Sequence, residues 1–261
     1  TVTKQPLLPS PSKGSSFWNQ LTLLTQRYAQ LLWRDPVNLA LALLTAPIGI
    51  SLITLAVRDR APLILADKPD PTLAPLALRV LFVFTCAALW VGLSSSLQEI
   101  VKESAIYLRE RLVNLGLFAY LGSKLLVLSK LALQQTLLIV VVILLGFKPP
   151  QPDLLPWSLG LGITTFLTLF TCISLGLMIS ALVRNSSQAN SALPLLLLPQ
   201  IIFSGVLFKM EGFASKVSWL MLSRWSIGAY GSLVDVNGMV PEPTVLPDGS
   251  TIPLPLSLIH I

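Results

Sequence analysis

Between Asp35 and Arg58 no residue carries a charge, and four further stretches of comparable length are wholly or almost charge-free. This constrains the fold more than any other feature of the chain. A helix rises about 1.5 Å per residue, so about 20 apolar residues cross the roughly 30 Å hydrocarbon layer of a bilayer. The five runs cover residues 37–57, 80–97, 125–147, 157–183 and 192–208. Charged residues make up 11% of the 261 residues, against about 25% in an ordinary soluble domain. A water-soluble globule is excluded, and an all-α polytopic membrane protein is the fold class expected. Pro36 opens the first run at a helix start, where its missing N–H is not needed. Lys130 lies near one end of the third run, where its stem can snorkel to the headgroups.

Two stretches outside these runs are amphipathic. From Phe17 to Leu32 the residues Phe17, Leu21, Leu24, Tyr28 and Leu31 recur at helical spacing, with Asn19, Gln20, Gln26, Arg27 and Gln30 on much of the remaining surface. Ser15 or Ser16 is placed to cap this helix, and Trp18 and Trp33 near its ends suit an interfacial position. It reads either as an anchor or as an elbow that carries motion from a cytoplasmic partner. The second stretch, Gln98 to Asn114, is too polar to span. It puts Leu97, Val101, Ala105, Leu108 and Leu112 on one stripe, with Glu99, Lys102, Glu103, Arg109, Glu110 and Arg111 mostly elsewhere. It is expected to be a helical docking surface for another protein, with local ion pairs such as Glu99 with Lys102.

Small residues let membrane helices approach closely, and two rows stand at four-residue spacing: Ala88, Gly92, Ser96 and Cys172, Gly176, Ser180. The fifth run is interrupted by Pro194 and Pro199, and Gln200 adds a polar group beside the second break. Gln200, Ser204 and Gly205 therefore belong in a bundle interior or beside a cavity. The aromatic segment Phe213 to Leu233, punctuated by Lys216, Arg224 and Gly228, reads as one or two interfacial or re-entrant helices. Beyond Val240 a Pro247, Asp248, Gly249 turn between strand formers predicts an external hairpin.

Catalytic chemistry is not supported. The one histidine is His260, so neither a His-based triad nor a histidine metal cluster can be assembled. Gly122, Ser123 and Lys124 lack the spacing of a phosphate loop. Cys86 and Cys172 lie inside apolar runs and support neither a disulfide scaffold nor zinc. The net charge of +6 is not gathered into a stripe, which points to membrane lipid and away from nucleic acid. With the N-terminus cytoplasmic, ten Lys and Arg fall inside and eight outside, the arrangement favoured by the positive-inside rule. No run contains Asp or Glu, so energy for uphill transport has to come from another domain or polypeptide.

Several pieces in order carry a family resemblance: Phe17-Trp18-Asn19-Gln20 with Arg27 and Arg34-Asp35-Pro36; Glu103 with Arg109-Glu110-Arg111; Tyr120-Leu121-Gly122-Ser123-Lys124; Gly176 through Ser180-Ala181 and Arg184-Asn185 to Ala189; and Leu198-Pro199-Gln200-Ile201-Ile202-Phe203-Ser204-Gly205. From Phe17 to Leu233 the chain resembles the membrane domain of type-2 ABC exporters, specifically G-subfamily-like bacterial half-transporters. The resemblance implies a permease working as a dimer by alternating access. Its partners would be a nucleotide-binding domain that holds ATP and magnesium, a second permease copy and membrane lipid. This chain itself would carry no cofactor.

The same resemblance assigns Arg27, Glu103, Arg109, Glu110 and Arg111 to coupling with the ATPase domain. It assigns Phe84, Thr85, Ala88, Val91, Leu198, Ile201 and Ile202 to a substrate path, and Val206 and Leu207 to an apolar plug. The apolar lining implies a lipid-like or hydrophobic substrate, and the localisation implied is a bacterial inner membrane. The organisation expected is a linker from an upstream nucleotide-binding domain at 1–16, a connecting helix at 17–34, a transmembrane domain at 35–208 and an external segment at 209–261. Six spans are expected of the family, so the chain is expected to stop before the last, with a foreign end from Leu256 to Ile261. Two other classes are consistent with the apolar runs: a channel or ion-coupled carrier fragment, and a non-transporting membrane anchor or assembly protein. Nucleotide-independent transport would mark the first. Spans without Pro or Gln would mark the second, and the fifth run has both.

Overall fold

The computed structural model describes residues 16–57, 61–64, 72–112, 114–150, 156–208 and 210–239. The hairpin expected near Pro247 lies outside them, as does the linker expected at 1–16 except for Ser16. Among the described residues there are helices and turns but no strands. The order is α1 (Phe17–Trp33), α2 (Pro36–Val57), α3 (Leu73–Ser96), a 3₁₀ turn (Val101–Glu103), α4 (Ser104–Arg111), α5 (Leu117–Gly146), α6 (Trp157–Leu182), α7 (Ser186–Ile202), α8 (Phe213–Ser218) and α9 (Leu222–Val234). Four of these helices are long and apolar enough to cross a membrane: α2, α3 with the turn and α4 that continue it, α5 and α6. At 17 residues, α7 is shorter than any of them.

Local chemistry explains where the helices start. Asp35 accepts the Asn38 backbone N–H at 3.2 Å and gives its own carbonyl to the Leu39 N–H, so the chain turns from α1 into α2 at Pro36. Asn185 caps α7 by accepting the Gln188 N–H at 2.8 Å. The cap expected from Ser15 or Ser16 is not made by a side chain. Ser16 is the N-cap of α1, but its backbone carbonyl, not its hydroxyl, takes the N–H groups of Asn19 and Gln20.

α3 is the centre of the bundle, packed against α2, α6, α7 and α9. The two rows of small residues meet each other. A Cβ on Gly92 would lie 2.7 Å from Cys172 Cβ, and one on Gly176 would lie 2.0 Å from Ser96 Oγ and 3.3 Å from the Leu93 carbonyl oxygen. α3 and α6 are thus in near-backbone contact, the geometry that gives membrane helices their dispersion energy. α2 and α5 are joined similarly: Gly146 leaves room only for Thr54, and Gln135 Nε2 donates to the Ala42 carbonyl at 3.2 Å.

α9 enters the opposite end of the bundle from α1 and α4. Its Ser226 hydroxyl meets Thr168 at 2.9 Å and Thr85 at 3.4 Å, one turn later Tyr230 meets Thr165 at 2.8 Å, and Leu233 reaches Gly160. The segment Phe213 to Leu233, expected to form one or two helices, forms two, and the second is buried along one face.

Candidate functional site

A cluster of charged residues forms where α1, the turn after α3 and the start of α5 meet. The apolar stripe of α1 sets this up: Leu24 and Tyr28 are buried, Leu24 against Ala119 and Tyr120 of α5, while Phe17 and Leu31 stay exposed. Gln20 fastens the helix at one end. Its Nε2 donates to the Asn114 carbonyl at 3.2 Å, and its Oε1 accepts the Gly116 N–H at 3.0 Å.

Lys124 lies at the heart of the site, with its side chain only 1% exposed. Its ammonium is 2.8 Å from Glu103 and 3.6 Å from Glu99, and it sits 3.6 Å above the centre of the Tyr28 ring. The Tyr28 hydroxyl donates to Glu99 at 2.5 Å, and Lys102 lies 3.6 Å from the other Glu99 oxygen. Burial, reinforced by the Glu99 charge, holds the Tyr28 phenol far above its ordinary pKa, so it stays a donor. A buried lysine is tolerated here because carboxylates and an aromatic face replace its hydration. On the outer side of the cluster Arg27 meets Glu110 at 2.5 Å, a hydrogen bond that raises the guanidinium pKa.

Of the residues assigned to coupling, Arg27, Glu103 and Glu110 converge on this cluster, whereas Arg109 and Arg111 are exposed on α4. The connector is not the single helix expected from Gln98 to Asn114. Ser180 Oγ of α6 accepts the N–H groups of Ile100 and Val101 at 3.0 and 3.1 Å, and the backbone tightens into the 3₁₀ turn before α4 begins. Of the expected stripe, Leu97 and Val101 are buried, whereas Ala105, Leu108 and Leu112 are exposed. No residue of α4 is buried, and Leu112 just beyond it is 87% exposed.

A cleft of about 510 Å³ opens beside the cluster, between the α1–α2 turn and the end of α3. Asn38, Thr45, Ser94 and Gln98 form its polar wall, and Leu41 and Val91 its apolar one. Val91 is thus the one α3 residue of the expected path that borders open space there. Phe84, Thr85 and Ala88 are buried within the chain: Phe84 packs edge-on against Phe147 and Tyr230, and Thr85 faces Ser226. On α7, Leu198 is 55% exposed, Ile202 is exposed and Ile201 half-buried, while Leu197 is the residue that packs on Leu89 and Leu93. Val206 packs on the main core, and Leu207 is exposed.

Gln200 and Ser204 lie in the bundle interior as expected, but Pro194 and Pro199 do not break the helix, which runs unbroken from Ser186 to Ile202. Gln200 caps another helix: its Oε1 accepts the Ser223 N–H at 3.0 Å, and its carbonyl takes the Ser223 hydroxyl at 2.5 Å. Met221, the N-cap of α9, has no side-chain acceptor to offer, so Gln200 supplies one from α7. Gln200→Met is expected to strip that buried N–H of its partner and to lower stability by about 1–2 kcal/mol, measured by denaturant unfolding in detergent. An unchanged midpoint would mean that the cap contributes nothing.

Sequence reading missed the centrality of Lys124, Tyr28 and Glu99. A usable signal is present: a lysine in the first turns of a long apolar helix needs an acidic partner, and the only nearby acids by order are in the connector.

The bundle defines a helical integral membrane protein with an ion-paired cluster at one end. Residues 19–232 match the ABC-2 type transporter membrane family, and the chain belongs to that family: it is a transmembrane component of a transporter. Over 170 residues it is 28% identical to the ABC transporter ATP-binding/permease protein Rv1747 of Mycobacterium tuberculosis. That stretch covers 63% of this chain and 20% of the relative, so the chain spans about a fifth of the relative's length. No solved structure matches the chain significantly.

Proposed function

We propose that the chain is the permease half of an ATP-driven exporter, with its α1–α4 end facing an ATPase domain in the cytoplasm of a bacterium. The observation that carries this reading is the contrast within α4. None of its residues is buried, yet Glu110 is tied to Arg27 on α1, and Glu103 just before it is tied to Lys124 on α5. A helix that rests on the bundle through Tyr107 and these charge pairs, with its other face open, suits a part that receives a push. Its exposed Leu108, Leu112, Arg109 and Arg111 give a partner both apolar and cationic contacts. The relative's name joins an ATP-binding part to a permease, which supports an ATPase domain as that partner, with ATP and magnesium held there.

In this reading two copies form the working unit, and substrate moves between them as the ATPase domains close and separate. The cleft beside Val91 supplies an entrance, the exposed Leu198 and Ile202 with Ile201 supply part of the path, and Phe84, Thr85 and Ala88 form the wall behind it. Val206 and Leu207 close its far end. The apolar character of these residues favours a lipid-like or hydrophobic substrate.

Glu110→Arg is expected to set two guanidinium groups against each other and to reduce nucleotide-driven export of a fluorescent lipid from vesicles by about tenfold or more. Arg27→Glu together with Glu110→Arg rebuilds the pair and is expected to recover part of the loss. Transport that continues without nucleotide would overturn the proposal in favour of a channel or carrier.

A further inference from the structure

At the end of the bundle away from α1 and α4, the pair α8–α9 and the start of α3 enclose a second cleft, of about 450 Å³. Its wall includes Leu78, Trp219, Arg224, Trp225, Gly231 and Val236, and none of the described residues that line it is acidic. Arg224 is half-buried there. Its guanidinium donates to the Ser218 hydroxyl and lies 4.9 Å from the centre of the Trp219 ring. Neither partner is anionic. The ion pairs of the Lys124 cluster lie at the far end of the bundle. Among the described residues Arg224 therefore has no anionic partner, and it sets its charge against an apolar wall with part of its N–H fork unused there.

The surroundings say what kind of anion fits. Trp219 and Trp225 pack edge to face at 5.2 Å, and each is 55% exposed, with Phe213 and Leu220 exposed on the same segment. Half-exposed indoles on a short helix pair at the end of a membrane bundle mark the headgroup level. A small hydrated anion would leave the apolar wall unfilled. At Gly231 an added Cβ would find only Val236 at 3.9 Å, so the helix surface there leaves room for a chain to lie along it. We infer that this cleft binds one anionic phospholipid, with its phosphate on Arg224 and an acyl chain along Gly231.

The test is native mass spectrometry of the delipidated full transporter titrated with phosphatidylglycerol or phosphatidylcholine. One phosphatidylglycerol per chain is expected to be retained, with about a tenfold preference over phosphatidylcholine, the size of one charge-assisted contact. Arg224→Gln is expected to abolish the preference and Arg224→Lys to keep part of it. Gly231→Leu sets a side chain into the groove from a Cβ that meets only Val236 at 3.9 Å, and it is expected to lower retention of both lipids while the unfolding midpoint stays at the wild-type value. Glycerol phosphate at equal concentration is expected not to displace the lipid. Equal retention of phosphatidylglycerol by wild type and Arg224→Gln would overturn the inference, as would displacement by glycerol phosphate.

Discussion

Lys124→Met is expected to destabilise the protein by about 3 kcal/mol, because removing one member of a buried charge cluster leaves the others uncompensated. The lysine is almost wholly enclosed and is the shared counterion of Glu99 and Glu103. With it gone, two carboxylates face each other beside the Tyr28 ring, with the exposed Lys102 near Glu99 and Arg27 within electrostatic reach of Glu103. The check is the unfolding midpoint in mild detergent, followed with a second variant. Adding Glu99→Gln and Glu103→Gln to Lys124→Met removes the stranded charges and is expected to recover about half of the loss, since a buried ion cluster replaced as a whole is often close to neutral. If the triple variant is no better than the single one, the lysine acts through packing alone.

Gly176→Ala is expected to be nearly as damaging despite adding a single methyl group. The new Cβ would lie 2.0 Å from Ser96 Oγ and 3.1 Å from Ser96 Cβ, with the Leu93 carbonyl close behind. Ser96 Oγ must then turn out of its hydrogen bonds to the Gly92 and Leu93 carbonyls, and the facing atoms of α3 must give by a few tenths of an ångström, at about 2 kcal/mol together, in the range of overpacked cores. Ser96→Gly in the same chain removes the nearest obstacle and is expected to restore most of the stability. Equal midpoints for Gly176→Ala and wild type would show that the seam is looser than its geometry implies.

Much of this architecture was legible in the sequence, because a bilayer imposes one length and one polarity on whatever crosses it. The start of α2 at Pro36, the seam of small residues and the interior place of Gln200 all follow from local rules. The beginnings of other helices do not. The helix carrying the third apolar run begins at Leu117, because Lys124 finds its partners in the connector and need not lie outside a helix. α7 begins at Ser186, because Asn185 caps a polar first turn that hydropathy alone reads as a loop. The connector breaks into a turn and a short helix because a serine on α6 competes for its N–H groups.

Such long-range partners leave no periodic trace. The candidate site shows the same division: Arg27, Glu103 and Glu110 come with the family resemblance, whereas Tyr28 and Glu99 emerge only when α1 is laid across α5. The hydroxyl seat of α9 was hidden for a similar reason, since Thr85, Thr165, Thr168 and Ser226 look like ordinary small polar residues in apolar runs.

The separation of charge from hydroxyl also makes the two ends of the molecule answer to different solvents. Around α1 and α4 the helices are held by ion pairs, and the Arg27–Glu110 pair is open enough to be screened. Around α9 they are held by neutral hydroxyls enclosed among apolar side chains. Ionic strength therefore acts as a one-sided dial. It slackens the grip on α4 and leaves the mooring of α9 untouched, so the stiffness of one pole can be tuned without disturbing the other.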